Sequence, residues 1–467
     1  MSERKTIYLC LAHMSEEGWE QKYVKEAFDT NWVVPMGPNV NAFEEDLEEF
    51  VNGLTSSPSP KDEGNLDKRV VCLSAGTAAV HLALLACGVG PGDEVCVQSY
   101  TFCASSHPIT YLGAKPVFIG SERETWNMDP ELLEKAIVDR KEKTGRYPKA
   151  IVPVALYGMP YRIDEIMAIA NKYGIPVIED AAEGMGSRFN GQVLGTFGKY
   201  GVLSFNGNKM ITTSGGGALI CEDKERADEI MWYATQARDA YPYYQHSAIG
   251  YNYRMSNVCA GIGRGQMKVL DAHIAHHKHV QALYEELLKD VKGVHIHKQP
   301  SLTPNPSPKG EGNSVPLYDS NFWLCAATLD ADVKIQGQEN AYKEVVKTAV
   351  GGAAGVIHAV DSATTDCQPN DNVEALRVFM LSKKIEARPT WKPMHKQPVY
   401  RGVDSSKLIV ESLPGGITCE TSEYSVAYTK GVEEELFKVG FCLPAGPYVT
   451  DDDVKYIVDC IKEAIVE

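Results

Sequence analysis

Between about residues 70 and 221, short apolar runs alternate with segments of helical periodicity. Apolar strands that are separated by helices form a mostly parallel sheet, which helices cover on both faces. The alternation therefore predicts an α/β fold built on a large, mixed, mostly parallel sheet. The predicted strands are Arg69–Leu73, Glu94–Gln98, Pro116–Ile119, Ile151–Ala155, Pro176–Glu179 and Gly201–Phe205, and the predicted helices between them run from Thr77 to about Cys87, over Ser105–Leu112 and over Ile163–Tyr173.

The pattern changes after Asn257, where a long helical stretch runs to about Lys289. A strand at Asn321–Leu329 and a helix at Val454–Val466 follow it. We therefore predict a domain boundary near residue 260, with a large domain over 1–260 and a smaller α+β domain over 261–467. Segments rich in proline, glycine and charge, Ser56–Asn65 and Asn305–Asn313, are typical of exposed loops. We expect flexible insertions near 300–317 and 331–372.

The charge balance disfavours two classes of partner. The chain has 62 acidic and 46 basic residues and a net charge of −16, which repels nucleic acid and anionic membranes. No signal peptide and no run of ~18 apolar residues stands out. The twelve cysteines show no C-x-x-C pair, as expected for free thiols in a reducing compartment. We expect a cytoplasmic enzyme without a metal.

The first motif that could take part in binding or catalysis is LSAGTAAVHLAL, Leu73–Leu84. Its pattern predicts a strand, a glycine turn and a helix. Free N–H groups at a helix N-terminus bind anions such as phosphate. Gly76 lets the backbone approach an oxyanion, and Thr77 can cap the helix and offer its hydroxyl. An ordinary strand–helix turn with a threonine cap is the alternative.

The second motif is IPVIEDAAEGMGS, Ile175–Ser187, in which an apolar strand ends in Glu179-Asp180. Ligands of open parallel sheets bind at the carboxyl ends of strands, so Asp180 is placed to bond a cationic group. The alternatives are a helix cap, a structural salt bridge or the ribose-binding acid of a dinucleotide fold. The last is disfavoured because no G-x-G-x-x-G follows the first strand.

The third motif, YGVLSFNGNKMITTSGGG, carries Lys209 in a short polar loop between two predicted strands. A lysine amine in such a setting can form a Schiff base with a carbonyl group. An exposed hairpin lysine is the alternative. Taken together, a phosphate turn, an acid for a heterocyclic nitrogen and a Schiff-base lysine are the parts of a pyridoxal 5′-phosphate site.

The sequence resembles the DegT/DnrJ/EryC1/StrS sugar aminotransferases, which adopt the aspartate aminotransferase-like fold type I. The resemblance covers nearly the whole chain. It rests on SAGTAAVHLAL, PVIEDAAEGMGS, GTFGKYGVLSFNGNK, IGYNYRMSN, EARPTWKPMHKQPVY and LFKVGFCLPAGPYVTDDDV, which occur in the family order. Within the family, SFNGNKMITTSGGG and ATQARDAYPYYQHSAIGYNYR look most like UDP-4-keto-6-deoxy-N-acetylhexosamine transaminases, the bacillosamine type.

The resemblance implies roles for individual residues. Lys209 matches the Schiff-base lysine, and Asp180 matches the acid that bonds the pyridine nitrogen. Glu183 matches a position beside the ring oxygen and the substrate, and because an acid is a poor donor we expect it to touch the sugar or to be protonated. Phe102 matches the aromatic that stacks on the ring. The implied phosphate contacts are Gly76, Thr77, Ser204 and Asn252, the last of these from a partner subunit.

The implied substrate contacts are Lys392 and His395 in WKPMH, together with Met14 and Asn208. The resemblance further implies an amino transfer from glutamate to C4 of a nucleotide-linked 4-keto-6-deoxy sugar, in a homodimer with shared active sites. Open alternatives are another keto nucleotide sugar (dTDP or GDP, C3 or C4), a dehydratase of the same fold and a non-catalytic regulator. Lys209 disfavours the dehydratase, in which a histidine replaces the lysine, and the intact motifs disfavour the regulator.

Overall fold

The structure, a computed structural model, describes residues 4–53, 67–301, 316–343, 367–402 and 407–466. Helices and strands alternate along most of this length. The helices of these residues are α1 Trp19–Asp29, α2 Pro38–Val51, α3 Gly76–Ala86, α4 His107–Tyr111, α5 Pro130–Thr144, α6 Ile163–Tyr173, α7 Lys224–Ala234, α8 Asn257–Met267, α9 Leu270–Leu288, α10 Asp371–Ser382, α11 Pro398–Arg401, α12 Val432–Val439 and α13 Asp451–Ala464.

The strands are mostly short, with two to five residues each. They are β1 Arg69–Leu73, β2 Glu94–Gln98, β3 Lys115–Ile119, β4 Ile151–Val152, β5 Ile178–Asp180, β6 Arg188–Phe189, β7 Gln192–Val193, β8 Tyr200–Ser204, β9 Gly217–Cys221, β10 Val294–Ile296, β11 Tyr318–Asp319, β12 Cys325–Leu329, β13 Lys334–Ile335, β14 Arg388–Pro389, β15 Ile409–Leu413, β16 Ile417–Thr421, β17 Val426–Thr429, β18 Gly440–Leu443 and β19 Ile465–Val466.

Two sheets meet edge to edge and form the centre of the fold. Their strand orders are β1-β9-β8-β5 and β15-β16-β17-β3-β2-β4. Parallel bridges between Ile151 and Val177 and between Val154 and Asp180 join β4 to β5. The pairs β5–β8, β2–β3, β2–β4 and β3–β17 are parallel, whereas β9 is antiparallel to β1 and to β8. The mixed α/β class predicted from the alternation is thereby confirmed.

The predicted strands and helices of this sheet are found, with shifts of a few residues. The strands Arg69–Leu73 and Glu94–Gln98 and the helix Ile163–Tyr173 have the predicted bounds, and Gly174 ends that helix in the left-handed region (φ 66°). Apolar runs between turn residues are strong local signals, which explains this agreement. The helix predicted over Ser105–Leu112 is shorter, because Cys103–Ser105 forms a separate 3-10 turn ahead of α4.

The prediction of one continuous helix from Asn257 to about Lys289 is wrong. Two helices, α8 and α9, fill this stretch, because Val269 leaves helical geometry (φ −117°, ψ 2°). Alternate glycines in α8 let it lie against α1 and α2. A Cβ on Gly263 would approach the Phe43 ring to 2.6 Å, and one on Gly265 would approach the backbone nitrogen of Glu20 to 2.6 Å.

A separate sheet, which is entirely antiparallel, has the order β10-β12-β18-β14. Apolar side chains of α9, α10 and α13 form one cluster with it; they include Val280, Tyr284, Leu376, Ile457 and Ile461. The predicted strand Asn321–Leu329 begins only at Cys325, because Phe322 has a positive φ of 49° and turns the chain.

The strands β15 to β17 lie beyond residue 260 yet extend the large sheet through the parallel pair β17–β3. The boundary near residue 260 therefore stays a prediction, and these strands would cross it. Most of the predicted flexible insertions, including Ser56–Asn65, 302–315 and 344–366, lie outside the described residues. Among the described helices, none combines the length and the apolar character needed to cross a membrane.

We predict that Gly201→Ala destabilises the protein. Gly201 lies in β8, and a Cβ there would stand 2.0 Å from the carbonyl oxygen of Gly195, which is backbone and cannot move aside. Overpacking of this kind should lower the free energy of unfolding by about 1–3 kcal/mol, measured by urea titration. Gly90→Ala is the matched control, because nothing lies within 4 Å of its added Cβ. Equal stability of the two variants would contradict the prediction.

Candidate active site

A cavity of about 330 Å³ lies at the carboxyl ends of β5 and β8, beside the N-terminus of α3. Its wall contains residues from all three sequence motifs and two tryptophans, Trp323 and Trp391. Eight of the twelve predicted site residues line it: Gly76, Thr77, Phe102, Asp180, Glu183, Ser204, Asn208 and Lys209. The three motifs, remote in sequence, therefore form one site.

Lys209 lies in the loop that joins the antiparallel strands β8 and β9. Its side chain is only 12% exposed. Nζ stands 3.4 Å from Oε1 of Glu183 and 4.2 Å from the centroid of the Trp323 ring. The alternative of an exposed hairpin lysine does not fit this environment. The amine therefore lies between the Trp323 ring and the carboxyl group of Glu183.

Asp180 ends β5 and is buried at the floor of the cavity. The Ser105 hydroxyl donates to its Oδ2 (2.6 Å), and the backbone N–H of Ala182 donates to its Oδ1 (3.1 Å). Burial raises the pKa of the Asp180 carboxyl, while these hydrogen bonds and the charge of Lys209 act in the opposite direction. The two donors fix the carboxyl of Asp180 in one orientation.

Glu183 is the second buried acid of the cavity. Its Oε2 accepts a hydrogen bond from the backbone N–H of Tyr157 (2.8 Å), and Tyr157 itself has a positive φ of 54°. Burial raises the pKa of the Glu183 carboxyl, and the charge of Lys209 opposes that rise. The expectation that Glu183 touches the sugar or is protonated stays a prediction, and in this structure its carboxyl contacts Nζ of Lys209.

The turn before α3 forms an anion cradle. The helix begins at Gly76, and no side chain caps it, so its first N–H groups stay available to a ligand. Thr77 lies inside the helix, and the idea that it caps the helix is therefore wrong. A Cβ on Gly76 would approach Cβ of Ser204 to 3.0 Å, and one on Gly217 would approach the nitrogen of Gly76 to 2.4 Å. Only glycine allows this close packing.

This arrangement fits pyridoxal phosphate. The uncapped α3 N-terminus and Ser204 suit a phosphate group, and Asp180 suits a protonated ring nitrogen. Lys209 offers the amine. The Phe102 ring, 50% exposed and 5.6 Å from the ring of Trp391, offers an aromatic face at the mouth of the cavity.

Four predicted residues lie outside the wall of this cavity. Asn252 is exposed, and Met14 is half-buried. Lys392 lines a neighbouring groove of about 360 Å³ that shares Phe102 and Trp391 with the cavity. His395 is 2% exposed and is engaged by the Ser99 hydroxyl at Nδ1 (2.6 Å) and by Glu434 at Nε2 (3.0 Å). Both ring nitrogens of His395 are therefore bonded within the core, and its contact with the substrate stays a prediction.

Sequence reasoning missed Ser105, Trp323 and Trp391. Ser105 stands in SYTFCAS, three residues after Phe102, and its place in that motif is the one sequence signal for a polar partner of Asp180. Trp323 lies about 110 residues after Lys209, as the numbering shows, and no local pattern links the two.

Comparisons with known proteins agree with the site. The model of the DegT/DnrJ/EryC1/StrS aminotransferase family matches residues 14–307. EpsN of Bacillus subtilis (strain 168), whose name places it among pyridoxal phosphate-dependent aminotransferases, is 38% identical over 460 residues, 98% of this chain and 95% of its own. GDP-perosamine synthase of Escherichia coli O157:H7 is 29% identical and covers 98% of each chain.

The fold has solved counterparts. A DegT DnrJ EryC1 StrS aminotransferase from Brucella abortus superposes with a TM-score of 0.72 at 23% identity, over 96% of this chain and 95% of the other. The predicted class of enzyme, an aminotransferase, and the predicted cofactor, pyridoxal phosphate, are thereby confirmed. The chain belongs to the DegT/DnrJ/EryC1/StrS aminotransferase family.

Proposed function

We propose that this aminotransferase moves an amino group from glutamate to C4 of a nucleotide-linked 4-keto-6-deoxy sugar, a UDP-2-acetamido-4-keto-hexose, for surface glycan biosynthesis. The observation that carries the transamination is the position of the Lys209 amine in one cavity with Asp180 and the uncapped N-terminus of α3. The identity of the sugar rests on the motifs SFNGNKMITTSGGG and ATQARDAYPYYQHSAIGYNYR.

Pyridoxal phosphate, when bound, supplies an electron sink for the carbon that loses its proton. The chain supplies everything else. The first N–H groups of α3 and the Ser204 hydroxyl bind phosphate, and Asp180, oriented by Ser105, favours the protonated form of a ring nitrogen. The aromatic ring of Phe102 would stack on the ring of the bound cofactor.

Lys209 has two tasks in this proposal. As a nucleophile, its Nζ would hold the cofactor through the aldehyde carbon, with loss of water, until the amine of the donor displaces it. Once released, the same amine takes a proton from one carbon and returns it to another, because it is the only amine in the described wall of the cavity. Trp323 and Trp391 contribute apolar surface to the wall around this amine.

A GDP-linked keto sugar is the second candidate, since a full-length relative is named GDP-perosamine synthase. A dTDP-linked sugar and transfer at C3 are further alternatives. The dehydratase alternative is disfavoured, because Lys209 occupies the position at which those enzymes carry a histidine.

A homodimer with shared sites forms part of the proposal. Asn252 is exposed and lies outside the cavity of its own subunit. That placement supports a contact with the phosphate site of a second copy.

We predict that the purified protein is yellow and that borohydride removes the visible band and fixes the cofactor on Lys209. Peptide mapping by mass spectrometry identifies the labelled residue. Lys209→Ala should lose about 10²–10⁴-fold in turnover, because it removes the acid/base group. A colourless protein that pyridoxal phosphate does not reconstitute, or a Lys209→Ala variant that still turns over at the original rate, would overturn the proposal.

The sugar is tested by a screen of 4-keto and 3-keto nucleotide sugars with glutamate as donor. We expect turnover with the UDP-2-acetamido-4-keto sugar and a ¹⁵N label from glutamate at C4 of the product. Activity confined to GDP- or dTDP-sugars would reject the UDP assignment and leave the transamination intact. Labelling at C3 would reject the position.

The shared site is tested by co-expression of Lys209→Ala chains with Asn252→Ala chains. Each homodimer lacks one group in both sites, whereas a mixed dimer carries one site in which both groups are intact. Random pairing should therefore restore about a quarter of the sites. If the mixture has no more activity than the sum of the two single variants, Asn252 does not act across the dimer.

A further inference from the structure

Trp323 is the aromatic group in contact with the Lys209 amine. It lies two residues before β12, and its indole is almost fully buried at 1% exposure. Nζ of Lys209 stands 4.2 Å from the ring centroid. A protonated amine at this distance is attracted by the negative face of an indole, and tryptophan is the strongest of the aromatic side chains in this respect.

The indole is tied to the same loop as the lysine. Nε1 of Trp323 donates a hydrogen bond to the carbonyl oxygen of Asn208 (2.7 Å), the residue before Lys209. The ring therefore moves with the loop that carries the amine. A second contact of Nζ is the carboxylate of Glu183, at 3.4 Å.

Asn321 anchors both contacts. Its Oδ1 accepts the backbone N–H of Trp323 (2.8 Å), and its Nδ2 donates to the carbonyl oxygen of Glu183 (2.9 Å). Asn321 is itself completely buried. A Cβ on Gly158 would stand 1.8 Å from Oδ1 of Asn321, so the approach requires a glycine there.

The wider setting of Asn321 is equally constrained. The Ser187 hydroxyl accepts a hydrogen bond from the backbone N–H of Asn321 (2.9 Å), and the second hydrogen bond of Nδ2 reaches the carbonyl oxygen of Met185 (2.9 Å). Phe322, between Asn321 and Trp323, has a positive φ of 49°. The Asn321 side chain thus fixes both the loop after β5, which carries Glu183, and the turn with positive φ that precedes Trp323.

We propose that Trp323 is a positioning residue for the amino transfer, which holds the Lys209 amine by a cation–π contact once that amine has taken up the proton, while Asn321 fixes the indole and Glu183 together. The inference rests on the proposed role of Lys209. A free lysine side chain has many rotamers, and each misplaced rotamer delays the proton transfer. The aromatic face and the carboxylate confine Nζ to the region where the proton is exchanged.

The test uses Trp323→Phe and Trp323→Met, because both substitutes are apolar and similar in length while only phenylalanine keeps an aromatic face. The cofactor-free protein is treated with trace acetic anhydride, and acetylation of each lysine is measured by mass spectrometry. We expect Lys209 to react on the order of threefold faster in Trp323→Met than in Trp323→Phe, since the methionine variant loses the cation–π contact. Trp126→Met, which removes a buried indole stacked on His297, should leave the reactivity of Lys209 unchanged.

A second readout uses the enzyme loaded with pyridoxal phosphate. Trp323→Met should lower kcat about tenfold while the KM for the amino donor changes by less than about twofold, and Trp323→Phe should recover most of the loss. Equal acetylation of Lys209 in the methionine and phenylalanine variants would show mere shielding and overturn the inference, as would an equal rise in Trp126→Met.

Two further outcomes are separable. If Trp323→Met does not fold by circular dichroism, Trp323→Leu replaces it as the variant without an aromatic face, and acetylation of Lys209 and a kcat equal to those of Trp323→Phe overturn the inference. Failure of borohydride to label Lys209 would overturn the proposed function instead, because the acetylation assay needs no cofactor.

Discussion

The antiparallel pairing of β9 with both β1 and β8 is the constraint on which the site depends. This pairing carries the Lys209 loop to the strand end from which α3 starts. The close packing of Gly217 on Gly76 leaves no room for a side chain at position 217, where an added Cβ would stand 2.4 Å from the nitrogen of Gly76. The backbone of the Lys209 loop and the anion cradle therefore keep a fixed separation, which the strand pairing sets.

Next to these strands, the site buries two acidic side chains and one basic side chain close together. Asp180 and Glu183 are both buried acids whose pKa values rise through burial, and Lys209 opposes the rise at each. The Ser105 hydroxyl and the backbone N–H groups of Ala182 and Tyr157 satisfy the carboxyl oxygens. Buried charges are tolerated in proteins where such partners exist, and they make the site sensitive to the loss of any one of them.

Much of the fold could be predicted from the sequence, because its strands and helices have local signals, and eight of the twelve predicted site residues lie in the wall of one cavity. Apolar runs marked β1 and β2, and Lys209 stood in a recognisable motif. Long-range features left no such signal. The place of β17 beside β3, the contact of Trp323 with Lys209 and the burial of His395 all depend on partners remote in sequence. His395 was assigned by motif alone, and a motif does not show which way a side chain faces.

The parallel pair β17–β3 has a consequence for the order in which the protein matures. Strand β3 ends at Ile119, while its neighbour is synthesised more than 300 residues later, from Val426. During translation the outer edge of β3 is therefore an open row of peptide groups until almost the whole chain has left the ribosome. Open edges of this kind can pair with other chains, so the β3 edge of the nascent protein is a site for aggregation until β17 covers it.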